Sequence, residues 1–152
     1  MNWWDFAVLM MISRLPVKFK PRFKYTLHCW GIHCDNCNSI TIAESSIVNN
    51  KVRGILTFQS SNISIYGNKV INSHYEIEIL ASLKNEVYRN YIANISIVGI
   101  ELSSWSTNIS TNNNIYENYI LNCSYGIEIQ ASNSTDRIMI WSLIELVFQW
   151  CY

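Results

Sequence analysis

Apolar and polar residues alternate along short stretches of the chain, and the same order of residues returns at a nearly constant interval. The pattern restarts at five dipeptides, Gly31-Ile32, Gly54-Ile55, Glu76-Ile77, Gly99-Ile100 and Gly126-Ile127, which lie 23, 22, 23 and 27 residues apart. Within a copy the alternation has a period of two, which is typical of a β-strand. Short strands repeated at this interval, with polar corners rich in Asn and Ser between them, predict a solenoid.

The aligned copies form columns that predict which side chains face the core. We count each restart as position 1 and allow an insertion in the fourth copy. Position 2 is then always Ile, and positions 12 and 17 are Ile or Val. Position 19 is Asn49, Asn72, Asn94 and Asn122. Because an amide both donates and accepts hydrogen bonds, we expect this column to form an inward ladder of stacked side chains.

One stretch carries a family resemblance. Residues 54–68, Gly-Ile-Leu-Thr-Phe-Gln-Ser-Ser-Asn-Ile-Ser-Ile-Tyr-Gly-Asn, resemble the right-handed parallel β-helix repeat, and the resemblance extends over residues 31–130. This repeat occurs in pectate-lyase-like folds, in carbohydrate-binding and sugar-hydrolase domains, and in the periplasmic copper-binding NosD family. It implies an all-β, single-stranded, right-handed parallel β-helix with about 4–5 coils of 22–23 residues. Because one fold hosts many functions, it implies no particular activity.

The repeat divides the chain into three parts. We expect a non-repeating N-terminal cap or leader at 1–30, β-helix repeats at 31–137 and an apolar C-terminal cap or truncated coil at 138–152. Neither apolar end is long enough to predict a membrane span, and the N-terminal one lacks the basic start and cleavage site of a signal peptide. Another interpretation is that the chain is a piece of a longer protein.

A cluster of cysteines and histidines is the first candidate for chemistry. His28, Cys29, His33 and Cys37 lie within ten residues of one another and could bind a soft metal such as copper or zinc. The resemblance to the NosD family would make the protein a copper-handling accessory protein. The repeat register favours another interpretation, in which nearby Cys34 at position 4 is a small buried apolar side chain.

A column of carboxylates is the second candidate. Glu78, Glu101 and Glu128 share position 3, where we expect them to point outward from three successive coils. They could bridge a calcium ion, as the resemblance to pectate-lyase-like enzymes implies, or act as the paired carboxylates of a retaining glycosidase. The alternative is a solvated face with raised pKa values. The resemblance implies that an enzyme of this kind would use a cluster of Asp residues, and Asp is scarce in the repeats, so the sequence disfavours catalysis.

Two tyrosine columns are the third candidate. Tyr66, Tyr88 and Tyr116 share position 13, while Tyr91 and Tyr119 share position 16. Aromatic side chains on a flat sheet can stack on sugars, so these columns are candidate ligand-binding residues. The alternative is that the rings stack on one another and stabilise neighbouring coils.

These patterns favour a structural or recognition protein at the cell surface. Its partner would be a polysaccharide or glycan, or a neighbouring protein subunit, while a polysaccharide lyase or glycoside hydrolase is the alternative. We predict no cofactor, with calcium or copper as alternatives. The formal net charge is +0 and no nucleic-acid motif is present, so no nucleic-acid partner is expected. We expect a secreted or cell-surface location although no clear signal peptide is seen. Of five Asn-x-Ser/Thr sequons, the predicted inward ladder would exclude those at Asn94 and Asn122 from glycosylation.

Overall fold

The protein is a solenoid of parallel β-strands in a computed structural model that describes residues 17–19, 30–130 and 137–139. Among these residues the regular elements are all strands. In chain order they are β1 (Val17–Phe19), β2 (Trp30–Asp35), β3 (Ile40–Ala43), β4 (Ser46–Val48), β5 (Arg53–Phe58), β6 (Ser64–Tyr66), β7 (Lys69–Ile71), β8 (Tyr75–Leu80), β9 (Glu86–Tyr88), β10 (Tyr91–Ser103), β11 (Asn114–Tyr116), β12 (Tyr119–Ile129) and β13 (Arg137–Met139). They make about four coils, as the repeat predicted.

The coils have three faces. The first face contains β2, β5, β8 and residues 98–103 of β10, followed by residues 125–129 of β12. The second face is a six-stranded sheet in the order β1-β3-β6-β9-β11-β13. The third face contains β4, β7 and the N-terminal parts of β10 and β12. Because β10 and β12 turn the corner between the third and first faces, these two faces form one continuous sheet.

Equivalent residues of successive coils lie side by side, as the alignment of copies predicted. On the first face Ile32 pairs in register with Ile55, which pairs with Ile77, and the column continues through Ile100 to Ile127. The Ile and Val side chains of positions 12 and 17 complete the core from the other two faces. The predicted apolar columns are therefore confirmed, and burying them is the main stabilising contribution to the fold.

The corner residues at position 19 differ from the prediction. All four Asn side chains of this column are exposed, and their backbones have positive φ angles of 50–64°. Asn tolerates this left-handed conformation better than most residues, which explains its presence at a sharp corner. The amides do bond between coils, from Asn72 Nδ2 to Asn49 Oδ1 at 2.7 Å and from Asn122 Nδ2 to Asn94 Oδ1 at 3.0 Å. The prediction of an inward ladder at position 19 was wrong, as was the exclusion of the sequons that followed from it.

The buried amide ladder lies at position 15 instead. Asn90 Oδ1 accepts hydrogen bonds from the backbone N–H and the side-chain amide of Asn68, both at 3.0 Å. Asn90 Nδ2 donates to the Ile65 carbonyl and to Asn118 Oδ1, both at 2.9 Å. Each amide thus forms hydrogen bonds with backbone groups at a buried corner and joins two coils. Polar groups enclosed in an apolar core need such hydrogen-bond partners.

One copy breaks the glycine pattern at position 1 with a buried carboxyl group. Glu76 is fully buried, and its Oε2 lies 2.5 Å from the point where a Cβ on Gly54 would be. The missing side chain of Gly54 therefore makes room for the carboxyl group. Oε1 accepts a hydrogen bond from the Ser73 N–H at 2.8 Å, whereas Oε2 has no hydrogen-bond partner. Burial raises the Glu76 pKa to about 8, although the Ser73 hydrogen bond opposes this shift.

Candidate functional site

The position-13 tyrosines on the second face stack on one another. The ring centroids of Tyr66 and Tyr88 are 4.9 Å apart, as are those of Tyr88 and Tyr116, and the ring planes are 17° and 1° from parallel. Both faces of the Tyr88 ring are therefore covered by its neighbours. A sugar needs a free ring face for stacking, so this geometry favours the interpretation that this column stabilises the coils.

Replacing Tyr88 with Leu is expected to lower the free energy of unfolding by about 1–2 kcal/mol, because two aromatic contacts are lost while the apolar contact area is largely kept. Urea unfolding would measure this loss. Tyr125→Leu is the matched control, since Tyr125 is well exposed and should tolerate the change. A Tyr88→Leu protein that was as stable as the control would show that the stack does not stabilise the coils.

The carboxylate column on the first face is more buried than predicted. Glu78 is 5% exposed and Glu101 8% exposed, while Glu128 is half-buried and accepts a hydrogen bond from Gln130. The Arg53 guanidinium forms an ion pair with Glu78, and it lies over the Trp30 ring at 5.8 Å. The expectation of a solvated column was wrong for Glu78 and Glu101, because alternation predicts which way a side chain points and not what covers it.

The pKa of Glu101 is raised, mainly by burial and then by the negative charges of Glu78 and Glu128. Register places Glu78 and Glu101 on adjacent strands, about 5 Å apart, which is near the separation found in retaining glycosidases. A glycosidase must also bring both carboxyl groups into contact with a sugar. Because both are almost completely covered, the geometry supports a structural role for this pair better than a catalytic one.

The cysteine and histidine candidates divide between the inside and the outside of the coil. His33 is on the outer side of the first face and contacts the Trp30 ring edge-on at 4.8 Å, whereas Cys34 and Cys37 are buried in the core. His28 and Cys29 lie outside the described residues. Within the described ranges no group of three or more His, Cys, Asp or Glu side chains is placed to hold a metal ion.

A groove of about 490 Å³ runs along the corner between the third and first faces. Its lining comes from the ends of three successive coils, and no candidate predicted from the sequence lay here. The lining residues are Asn49, Asn50, Lys51, Asn72, Ser73, His74, Asn94 and Ser96. Asn50 is buried, yet both atoms of its side-chain amide have no hydrogen-bond partner. Buried polar atoms of this kind are costly unless water or a ligand satisfies them.

The exposed amide ladder is interrupted in the middle of this corner groove. Its hydrogen bonds join Asn49 to Asn72 and Asn94 to Asn122, and among the described residues none joins Asn72 to Asn94. At the same two coils His74 Nδ1 lies 2.8 Å from Ser96 Oγ. The interruption leaves an acceptor on Asn72 and a donor on Asn94 free for a ligand on a rigid corner.

The third face extends the groove with an aromatic pair and a lysine. Tyr91 and Tyr119 stack with centroids 5.4 Å apart, and Tyr91 is 40% exposed. On its other side Tyr91 pairs in register with exposed Lys69, so no second ring covers it there. Of the five tyrosines predicted to bind a ligand, Tyr91 and Tyr119 therefore lie beside the groove, whereas the Tyr88 ring is covered on both faces.

A signal for the groove was present in the sequence. Three copies carry hydrogen-bonding residues just after position 18, as Asn49-Asn50-Lys51, Asn72-Ser73-His74 and Asn94 with Ser96. The prediction that position 19 faces the interior hid this signal. Only when position 19 faces outward do these side chains lie together on one surface.

The insertion in the fourth copy forms a separate feature. Residues 104–109 make a tight turn in which Trp105 and Asn108 exchange backbone hydrogen bonds at 3.0 Å. Trp105 is exposed and contacts the Phe58 ring edge-on, with centroids 6.1 Å apart. The turn borders a second depression of about 500 Å³, whose lining includes Leu83 and Ile109.

Comparison with known proteins agrees with the architecture. In the described part of the chain, no helix has the length and apolar character needed to cross a membrane. No curated protein and no solved structure matches the chain. A family model for a right-handed β-helix region matches residues 26–139 of the 152 residues. Together with the stacked parallel coils, this match shows that the chain belongs to the right-handed β-helix family.

Proposed function

We propose that this protein is a non-catalytic recognition module that binds a polysaccharide along the corner groove and the adjoining third face. The observation that supports this most strongly is a groove lined by hydrogen-bonding side chains from three coils, in which both side-chain amide atoms of Asn50 have no hydrogen-bond partner. A secreted or cell-surface location fits this proposal, since structural polysaccharides lie there.

The spacing of the groove suits a polymer. Amide and hydroxyl groups recur once per coil, at intervals of about 4.8 Å set by the hydrogen bonding of parallel strands. A polysaccharide presents hydroxyl groups at regular intervals of similar scale, so successive sugars can meet equivalent corners of successive coils. Because backbone hydrogen bonds join successive coils at this corner, from the Asn49 N–H to the Ile71 carbonyl and from the Asn72 N–H to the Ala93 carbonyl, little conformational entropy is lost when a ligand binds.

The charges favour a polysaccharide that bears carboxylates. None of the eight residues that line the groove is acidic, while Lys51 is exposed at its edge and Lys69 lies beside Tyr91 on the third face. Lysine ammonium groups attract anions, and Tyr91 offers an apolar ring for the sugar plane. A uronic-acid polymer satisfies both features, whereas a neutral glucan satisfies only the second.

The proposal predicts preferential binding of a uronic-acid oligosaccharide over a neutral one of equal length, measured by isothermal titration calorimetry. Asn72→Gly and Lys51→Ala should each weaken binding about 5- to 10-fold, because each removes roughly 1 kcal/mol of polar interaction. Glycine is chosen at position 72 because the backbone there has a φ of 64°.

The matched control is Asn112→Gly, which makes the same change at an exposed corner with a φ of 56° outside the groove. It should bind like the unmodified protein. Equal affinity for the charged and neutral oligosaccharides would contradict the charge argument. No binding of either would remove support for polysaccharide recognition and favour a protein subunit as the partner.

A further inference from the structure

A column of short side chains occupies the corner between the first and second faces in each coil. Position 7 is Cys37, Ser60, Ser82 and Ser110, and all four side chains are buried. The Ser60 hydroxyl accepts a hydrogen bond from the Cys37 N–H at 3.0 Å. Ser82 and Ser110 repeat this contact one and two coils higher, at 3.0 and 3.2 Å. Cys37 therefore stands at the base of a serine column.

Position 4 approaches this column from the first face. In the upper coils it is Thr57, Ile79 and Leu102, all of which point into the core. In the lowest of these coils it is Cys34, and here alone both positions are cysteines. The two side chains are close enough to form a hydrogen bond with each other. Both thiols are buried, so their contact is part of the packed corner.

We propose that Cys34 and Cys37 form a disulfide that fastens this corner when the protein folds in an oxidising compartment. The sequence Cys34-Asp35-Asn36-Cys37 has the Cys-x-x-Cys spacing, and Asn36 turns the corner with a φ of 52°. Neither this inference nor its test depends on polysaccharide binding.

The oxidant is a small disulfide such as oxidised glutathione. One of the two cysteine thiolates attacks one glutathione sulfur, which forms a mixed disulfide and releases one glutathione thiolate. The other cysteine thiolate then attacks the protein sulfur of this mixed disulfide, which forms the Cys34–Cys37 S–S bond and releases the second glutathione as a thiolate. Two protein thiols are oxidised, the glutathione disulfide is reduced to two thiols, and two protons pass to solvent or to the released thiolates.

Both sulfur atoms are buried in the folded coil, where glutathione cannot reach them. The exchange therefore takes place before the corner has closed.

The repeat supplies control variants that should fold. Cys37→Ser places at position 7 the residue that the other three coils have, and Cys34→Thr copies Thr57. Cys29→Ser removes the neighbouring cysteine from competition. These substitutions separate a failure to form the disulfide from a failure to fold, which circular dichroism would check.

The test is to refold the Cys29→Ser protein in a glutathione redox buffer, block remaining thiols, and cleave on the N-terminal side of Asp35. Because the cut lies between the two cysteines, a Cys34–Cys37 disulfide leaves the two peptides joined until a reductant is added. Mass spectrometry should find this joined species, and it should be absent when Cys37→Ser or Cys34→Thr is added. Blocked thiols at both positions, or a joined species that persists in the Cys37→Ser variant, would overturn the proposal.

Discussion

Raising the pH from about 4 to about 9 is expected to lower the free energy of unfolding by about 4 kcal/mol through Glu76 alone. The pKa of this carboxyl group is about 8 in the folded protein, against a reference value of 4.5. Between these values the folded state holds a proton that the unfolded state releases. The stabilisation is therefore complete below pH 4.5 and is lost as the pH rises through 8.

Glu76→Gln isolates this effect, because Gln has nearly the same shape and does not ionise. Between pH 5 and pH 8 the free energy of unfolding of the variant should fall much less than that of the unmodified protein. Above about pH 8 the variant should be the more stable of the two. Urea unfolding at a series of pH values would measure both curves.

Glu117→Gln is the matched control for the pH series, since Glu117 is exposed and pairs with Arg89 at the surface. Its stability curve should keep the slope of the unmodified protein. If Glu76→Gln and Glu117→Gln gave the same pH dependence, Glu76 would not be the group that holds the proton.

Replacing Asn90 with Ala is expected to lower the free energy of unfolding by about 3–4 kcal/mol, the second largest effect. The substitution removes the acceptor for the Asn68 N–H and the donor to the Ile65 carbonyl, and both backbone groups are in the buried corner. It also breaks the ladder between Asn68 and Asn118. Chemical unfolding monitored by circular dichroism would measure the loss.

Two further variants sharpen this prediction. Asn90→Asp keeps the size and the acceptors but removes the amide donors, so it should also destabilise the protein at neutral pH. Asn112→Gly, at an exposed corner, should change stability by no more than about 0.5 kcal/mol, since glycine adopts positive φ without strain. Similar losses for Asn90→Ala and Asn112→Gly would show that burial of the ladder does not determine its contribution.

The fold could be predicted from the sequence because a parallel solenoid places equivalent residues of successive copies next to one another. Columns such as Ile32, Ile55 and Ile77 thus appear directly in the aligned repeat. Whether a column of Asn side chains faces the core or the solvent could not be deduced in this way. Asn72 and Asn90 recur with equal regularity, and it is the positive φ at Asn72 that turns its side chain outward while Asn90 remains buried.

The candidate site was harder to predict for a related physical reason. Recurrence identified Tyr88 and Tyr91 equally well, but ring stacking on one or both sides depends on what occupies the next coil. Similarly, alternation placed Glu78 on the outer side of its strand without revealing that it would be covered. The corner groove is a candidate site because buried atoms beside it, such as those of the Asn50 amide, lack hydrogen-bond partners. Whether a polar atom has a partner is visible only in three dimensions.

The most direct test of polysaccharide recognition is a two-dimensional NMR titration of the labelled protein with a uronic-acid oligosaccharide. The proposal predicts that the amide resonances of Asn50, Asn72 and His74 shift first, together with that of Tyr91 on the third face. Shifts concentrated instead at Tyr66 and Tyr88, at Glu78 and Glu101, or nowhere in the protein would contradict it.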